Sequence, residues 1–199
     1  MDALEAIFSR RSTRRMKPDL PSEEEIHTVL EAGRAAPSGS NSRQTHFIVI
    51  TDPEVLVRLA ELVKEAFAAM ELKEDMYVSL KHSITAAKSG TYVFHYGAPM
   101  LIVTANKTGY GNAMADSACA LENMMIAAQA LGLGSCWINQ LHWLTDEPQI
   151  KDYMRTLGLG EDEFITGGLI LGYGVDGAPA GGERPDHGNP VTWIRKEDK

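Results

Sequence analysis

The segment 113–131 limits the possible folds of this chain more than any other, because it is apolar on nearly every side of the helix that its composition predicts. Two glycines, Gly132 and Gly134, end it. Its large apolar side chains and one of its alanines are Met114, Ala118, Leu121, Met124, Met125 and Ile126. A helix of this kind is buried at the centre of a fold or in an interface between subunits. We therefore expect residues 113–131 in one of those two places.

Helical and strand-like patterns alternate along the rest of the chain. A short helix with Leu4, Ile7 and Phe8 on one side ends in a basic cluster, and Ser22 with Glu25 is a capping-box pattern before a second helix. Further helices are predicted from Pro53, over about 72–88 and around 150–157. Short apolar runs predict strands at 47–51, 100–105, 135–139 and 164–173. This mixture predicts an α+β architecture in which helices cover a sheet.

Composition narrows the class of protein. The 199 residues are enough for one domain, 1–199, and 19 basic against 27 acidic residues give a net charge of -8, which argues against nucleic acid as a partner. The two cysteines exclude a disulfide scaffold, Cys119 is expected in the core, and the six histidines lack the spacing of a metal site. The apolar runs are shorter than the roughly 20 residues that cross a bilayer, so no membrane partner is expected. Residues 1–5 do not resemble a signal peptide, and the cytoplasm is the expected location.

A basic segment follows the first helix directly. It places five cations within eight residues of an acidic chain: Arg10, Arg11, Arg14, Arg15 and Lys17. Like charges repel one another unless they spread into solvent or meet an anion. Two interpretations stay open: arginines and the Ser12 hydroxyl that hold a terminal phosphate, or a solvated basic patch at a helix end.

Three later stretches each have a binding interpretation and an ordinary one. Residues 36–44 are small and polar, and the amides of Asn41 and Gln44 suit a flat heterocycle, but the stretch also suits a connecting loop. Residues 130–139 end in a strand whose Trp137 either forms an apolar wall for a ligand or fills the core. Arg184 is either a ligand contact or a surface arginine.

Together, in this order and at these separations, the four stretches resemble the FMN-dependent nitroreductases over about residues 3–196. The resemblance depends on Arg-Arg-Ser-x-Arg, Ala-Pro-Ser-x-x-Asn, Leu-Gly-Leu-Gly-x-Cys-Trp-Ile and the late Leu171-Gly172-Tyr173 with a downstream arginine. It implies an intertwined homodimer with a central mixed, mainly antiparallel sheet flanked by helices. It also implies that residues 113–131 form the dimer core, that a tail at about 174–199 docks on the partner, and that two FMN molecules lie at the interface.

The resemblance also implies which residues hold FMN. Arg10, Ser12 and Arg14 would bind the phosphate together with Arg184, and Arg11 would contribute through its backbone. The ring would be lined by residues of the partner chain, Pro37, Ser38, Gly39 and Asn41, and Gln44 is added to the cofactor-binding set for its amide. Beside the flavin N5 atom the matching segment is Trp137, Ile138, Asn139 and Gln140, where a backbone N–H is the expected contact.

The function implied is an NAD(P)H-dependent FMN oxidoreductase with ping-pong kinetics. Hydride would pass from NADH or NADPH through flavin N5 to a small-molecule oxidant such as a nitroaromatic, a quinone or an activated alkene, with no catalytic side chain. Two alternatives stay open: an FMN-binding module of the same fold that stores FMN or uses its reduced form, and a dimeric domain whose basic segment docks an acidic partner. Each is distinguished by whether bound flavin is present and is reduced by the nicotinamide.

A few further residues each have two alternative roles in this interpretation. Lys107 is either a positive charge near flavin N1 or a solvated loop lysine. Candidate lid residues, each of which core packing explains as well, are Tyr77, Tyr92, Phe94 and His95. The chain departs from the family pattern at Met16, Arg43, Asn139 and Gly182. These departures leave the physiological substrate and the nicotinamide preference open.

Overall fold

The computed structural model describes residues 1–176 and 188–195 and builds them around one four-stranded sheet. The strands are β1 (His46–Ile50), β2 (Met100–Lys107), β3 (Gly134–Ile138) and β4 (Glu163–Gly172), in the order β1-β2-β4-β3. All three strand pairings are antiparallel. The expected parallel component is confined, in the part of the chain described, to a single isolated bridge between Ser12 and Ser135. The α+β class is confirmed.

Helices cover both faces of the sheet. One face packs against α2 (Glu23–Arg34) and α5 (Ala113–Ala130), through side chains such as Ile102 and Leu169. The other face, which includes Val103 and Ile170, packs against α3 (Pro53–Ala69), α4 (Val78–Lys88), α6 (Gln140–Trp143) and α7 (Pro148–Thr156). The short α1 (Ala3–Ser9) lies on the outside of α5. Because the central strands β2 and β4 are covered on both faces, their sequences are nearly continuous apolar runs.

Local sequence signals set most of the element boundaries. The capping box forms as predicted: the Ser22 N–H donates to Glu25 Oε2 at 2.8 Å, and the Glu25 N–H donates to Ser22 Oγ at 3.3 Å. Asp52 caps α3 and Pro53 begins it. The helix predicted over 72–88 begins only at Val78. Of the apolar stripe that predicted it, Leu80, Ile84 and Ala87 lie inside the observed helix and Tyr77 is its N-cap. The short α6 after β3 was not predicted, because four residues are too few for a periodic pattern.

The helix α5 is buried on one side only within a single chain. Leu121, Met124 and Met125 pack towards the sheet, whereas Met114 is 42% exposed. Cys119 is exposed, so its expected place in the core is wrong: it lies on the face of α5 that turns away from the sheet. Among the described residues, no helix combines the length and the apolar character that a bilayer crossing requires.

Candidate functional site

The first and third stretches of the sequence meet at the edge of the sheet formed by β3. After α1 the chain is extended, and the Thr13 N–H donates to Ser135 O at 2.9 Å while the Lys17 N–H donates to Tyr173 O at 2.8 Å. The two backbones approach so closely that a Cβ on Gly134 would lie 2.7 Å from Cγ2 of Thr13. Gly134, the second glycine of Leu-Gly-Leu-Gly, is therefore needed for packing, because it lets the basic segment lie against the start of β3.

The arginines of the basic segment differ in how far the protein itself satisfies them. Arg11 donates from Nη1 to the carbonyls of Phe8 and Arg10 at 2.9 Å, so its guanidinium is folded back on its own backbone. The Arg10 side chain is only 21% exposed, and its Nε lies 3.9 Å from Glu122 Oε1, longer than a charge-assisted hydrogen bond. Arg14 lies over the ring of Tyr96 at 5.8 Å. Arg10 and Arg14 thus keep N–H donors that an anion can use, whereas Arg11 already uses one of its nitrogens for backbone carbonyls.

The second stretch forms the wall of an open cleft of about 490 Å³. This cleft lies between the end of α2, the loop that follows it, β1 and α5, and its lining includes the predicted Pro37, Ser38 and Asn41. It also includes Arg34 and Arg43. Gly39 lies behind this wall, hydrogen-bonded to α5, and the exposed Gln44 is not part of the lining.

Two residues that the sequence analysis missed hold this loop in place. Asp116, buried in the first turn of α5, accepts the Gly39 N–H at 3.0 Å through Oδ1 and the Tyr110 hydroxyl at 2.8 Å through Oδ2. The Tyr110 oxygen also lies 2.8 Å from Ser42 Oγ. One signal could have revealed Asp116: it is the single charged residue between Ala113 and Leu121, in an otherwise small and apolar stretch.

The end of β3 carries the four residues predicted beside N5. Trp137 faces the α2 and α5 side and donates from Nε1 to Asn139 Oδ1 at 2.7 Å, whereas Ile138 is buried in the opposite core. Gln140 is only 9% exposed, and its Oε1 has no partner among the described residues. Burial raises the pKa of Tyr92, which also lies 2.8 Å from Ser83 Oγ.

The two groups of predicted residues lie at opposite edges of the sheet. The loop 37–44 leads into β1, and the segments 10–14 and 137–140 lie along or at the end of β3; β2 and β4 separate the two edge strands. Three strand spacings amount to roughly 14 Å. One chain therefore does not bring all the predicted residues together in one site.

Several expectations fall outside this arrangement. Arg184 lies outside the described residues, and in the tail only residues 174–176 and 188–195 are described. Phe94 and His95 are buried core residues, so the alternative of core packing holds for both. Tyr92 is half-buried, and Tyr77 is 67% exposed with its ring edge against Trp143.

Of the two alternatives for Lys107, the structure favours a partly exposed lysine over a positive charge near flavin N1. Its Nζ lies 2.6 Å from Asp162 Oδ2, and this hydrogen bonding raises the pKa of Lys107 and lowers that of Asp162. Gly168 pairs with both Ile138 and Val103, and Lys107 lies four residues beyond Val103 on β2, roughly 13 Å along the strand. The charge of Lys107 is therefore paired with that of Asp162, and it lies far from the end of β3.

Comparison with known proteins identifies the family to which this fold belongs. The sequence profile of the nitroreductase family matches residues 7–173. Among solved structures, a nitroreductase with bound FMN from Bacteroides fragilis NCTC 9343 superposes with a TM-score of 0.87 at 35% identity, over 98% of this chain and 100% of that one. A nitroreductase with bound FMN from Desulfitobacterium hafniense DCB-2 gives a TM-score of 0.81 at 25% identity over the same shares.

A curated relative is the FMN reductase (NADPH) of Bacillus subtilis strain 168, which is 27% identical over 166 residues. The alignment covers 78% of this chain and 63% of that protein. The family profile spans most of the chain and includes the first three stretches that carry the resemblance. This chain therefore belongs to the nitroreductase family.

Proposed function

We propose that this protein is an FMN-dependent oxidoreductase that uses NADH or NADPH to reduce a small-molecule oxidant. The observation that carries the proposal is the pair of half-sites at opposite edges of one sheet, in a chain that resembles FMN-bound nitroreductases at full length. Two such chains, related by symmetry, can each complete the other's site. The proposed active species is therefore a homodimer.

The residues present fit an FMN phosphate. Arg10 is largely buried, yet its nearest carboxylate is 3.9 Å away, so its guanidinium can still donate to phosphate oxygens. Ser12 and Arg14 follow on the same extended segment, and Arg184 would add a fourth donor. The ring would lie between the end of β3 of one chain and the cleft of the other, whose 490 Å³ is within the usual range for ligand pockets, about 300–1,000 Å³.

In this mechanism the protein binds and orients, and the cofactor carries the electrons. When held by Arg10, Ser12 and Arg14, FMN would supply the hydride chemistry that connects the nicotinamide to the oxidant. Backbone N–H groups of Asn139 and Gln140 would hold the flavin edge beside N5. The partner's Pro37, Ser38 and Asn41, which line the cleft, would cover the ring and exclude water.

The homodimer is supported by apolar surface that a single chain leaves in water. Leu4 and Phe8 on α1 are 65% and 66% exposed, and Val191, Trp193 and Ile194 in the tail are 72%, 72% and 97% exposed. Apolar side chains at this density indicate an interaction surface. Their position beside α5 and in the tail agrees with a second copy of this chain as the occupant.

The function is tested by the absorption spectrum of the purified protein before and after anaerobic addition of NADH or NADPH. A flavin spectrum that bleaches with a nicotinamide, and returns when a quinone or a nitroaromatic is added, is the expected result. A flavin spectrum that neither nicotinamide bleaches would favour the storage module. Protein that is colourless and stays so with added FMN would overturn the proposal.

Alanine substitution of Arg10 or Arg14 tests the phosphate contacts. Because a hydrogen bond to a charged group contributes about 1.5–3 kcal/mol, each change is expected to weaken FMN binding about ten- to a hundredfold. Binding is measured by quenching of FMN fluorescence. Arg58→Ala is the matched control, since Arg58 pairs with Glu61 on the distant α3. Unchanged affinity in a folded Arg10→Ala, Arg14→Ala double variant would contradict the site.

A further inference from the structure

We propose that Asp116 and Tyr110 act as a positioning pair that holds residues 38–43 in the conformation that contacts the flavin ring. The inference rests on the proposed function and assigns roles to two residues that the sequence motifs do not include. Neither residue is proposed as a catalytic residue, because both act through the loop.

The loop has a backbone that does not persist without support. Ser40, Asn41 and Arg43 have φ angles of 53°, 55° and 50°, in the left-handed region that residues with a Cβ rarely adopt. Three such residues within four positions store conformational energy, which persists only where surrounding contacts over-determine the structure. Strained backbone of this kind is concentrated at binding sites.

Asp116 and Tyr110 supply the contacts that fix this backbone. Both carboxylate oxygens of Asp116 are used, one by the Gly39 N–H at 3.0 Å and the other by the Tyr110 hydroxyl at 2.8 Å. The Tyr110 oxygen is also 3.2 Å from Gly39 O and 2.8 Å from Ser42 Oγ. A Cβ on Gly39 would lie 2.7 Å from that oxygen, so the glycine is needed for this approach.

Within the loop, two further bonds transmit this constraint to the cleft. The Arg43 N–H donates to Ser38 Oγ at 3.0 Å, and Arg43 Nε donates to Asn41 Oδ1 at 3.0 Å. The cleft-lining side chains of Ser38 and Asn41 are thereby oriented. Loss of Asp116 would release Gly39 first and then the residues that depend on it.

The position of Asp116 favours a role in binding over a role in chain connection alone. It is 6% exposed, it lines the same cleft as Ser38 and Asn41, and the first turn of α5 stabilises its charge through the helix dipole. A turn that only connects α2 to β1 has no need of a buried carboxylate, since burial of a charge is costly. The hydrogen bonds from the Gly39 N–H and the Tyr110 hydroxyl offset that cost, and both tie the carboxylate to the loop.

The experiment measures loop order and flavin binding separately, in Asp116→Ala, Tyr110→Phe and the double variant. Hydrogen exchange of the apoprotein reports on the Gly39 amide without any flavin, and it is expected to quicken about tenfold or more in Asp116→Ala. The FMN dissociation constant is expected to rise about ten- to a hundredfold in Asp116→Ala and about three- to tenfold in Tyr110→Phe. The double variant should be no weaker than Asp116→Ala, because the two residues act as one unit.

Two further variants complete the design. Asn123→Ala is the matched control: it removes a different hydrogen bond from α5, to Ala32 O at 3.1 Å, and should change neither readout. Asp116→Asn keeps an oxygen that can accept the Gly39 N–H and should give intermediate values. Circular dichroism and the dimer mass establish that each variant is folded. If Asp116→Ala does not fold, Tyr110→Phe still tests the inference, because it removes only one oxygen atom.

Each outcome has a distinct meaning. Faster exchange together with weaker FMN binding supports the positioning pair. Faster exchange with unchanged FMN binding shows a purely structural contact and overturns the inference, and so does unchanged exchange. If the wild-type protein binds no FMN, the proposed function fails instead, and the exchange result alone then describes the loop.

Discussion

At the scale of single residues, the free energy of anion binding at the basic segment depends on how Arg10 is partnered. Glu122 approaches it at 3.9 Å from the exposed surface of α5, close enough to lower the local positive potential but too far for a strong bond. An exposed pair of this kind contributes about 0.2–1 kcal/mol. We therefore expect Glu122 to lower the affinity of Arg10 for the proposed phosphate.

Glu122→Gln removes this carboxylate charge and leaves the shape of the side chain. FMN binding is expected to tighten by up to about fivefold, with the difference decreasing at high salt because the effect is electrostatic. Fluorescence titration at low and high ionic strength measures it. The matched control is Glu61→Gln on α3, which removes the partner of Arg58. A weaker complex in Glu122→Gln would show that the carboxylate supports the site.

His95 gives the fold a dependence on pH. It is 6% exposed and lies edge-on to Phe94 at 5.3 Å, and its Nδ1 has no partner in the described part of the chain. Burial lowers the pKa of His95, since the charged form would lose its hydration, while a backbone hydrogen bond to Leu56 opposes this. In the unfolded chain His95 takes up a proton near its ordinary pKa of 6.5, whereas in the folded protein it does so only at lower pH.

The free energy of unfolding is therefore expected to fall as the pH decreases below about 6.5, by at most about 1.4 kcal/mol per pH unit for this one group. Urea unfolding of the wild type and of His95→Gln at pH 7.5 and 5.5 measures the slope. The variant should show a smaller decrease, whatever its absolute stability. His82→Gln, at an exposed position on α4, is the control. Equal slopes in wild type and His95→Gln would contradict the assignment.

At the scale of elements, the start of β3 depends on the close approach of the basic segment. A Cβ at Gly134 would lie 2.7 Å from Cγ2 and 2.9 Å from Cβ of Thr13, and neither atom can move far, because the Thr13 N–H is bound to Ser135 O. An alanine there would push the segment carrying Arg10, Ser12 and Arg14 away from the sheet. Packing of one element against another thus sets the position of the proposed phosphate contacts.

Gly134→Ala is expected to destabilise the protein by about 1–3 kcal/mol, as overpacking does, and to weaken FMN binding at the same time. Urea midpoints and FMN titration measure the two effects. Gly111→Ala is the control, because no atom lies within 4 Å of a Cβ built there. A wild-type urea midpoint in Gly134→Ala would contradict the close approach of Thr13 to Gly134.

At the scale of the whole molecule, the arrangement of the site predicts its oligomeric state. The exposed Phe8 and Ile194 belong to the surfaces that we propose to contact the partner subunit.

Phe8→Asp combined with Ile194→Asp would place charges in an apolar contact. This variant is therefore expected to dissociate to monomers and to lose FMN. The wild type is expected to have twice the 21.8 kDa mass of one chain. Light scattering with absorbance at the flavin band measures both. Val57→Asp, 59% exposed on α3, is the control. A monomeric wild type that retains FMN would contradict the shared site.

Most of the longer elements, and the family, could be predicted from the amino-acid sequence alone. Capping at Ser22, the proline that begins α3 and the apolar runs of β2 and β4 act within a few residues, so local patterns were enough to predict them. The four motifs indicated the family because each keeps its residue types at short spacing.

Which side chains remain available to a ligand depends on contacts between residues that are far apart in the sequence. Asp116 reaches Gly39 across 77 positions of sequence, Lys107 reaches Asp162 across 55, and Thr13 lies against Gly134. Contacts of this range depend on how helices pack on the sheet, and no local pattern encodes them. The same packing put residues 37–44 and 137–140 at opposite edges of the sheet, because strand order is set by long-range pairing.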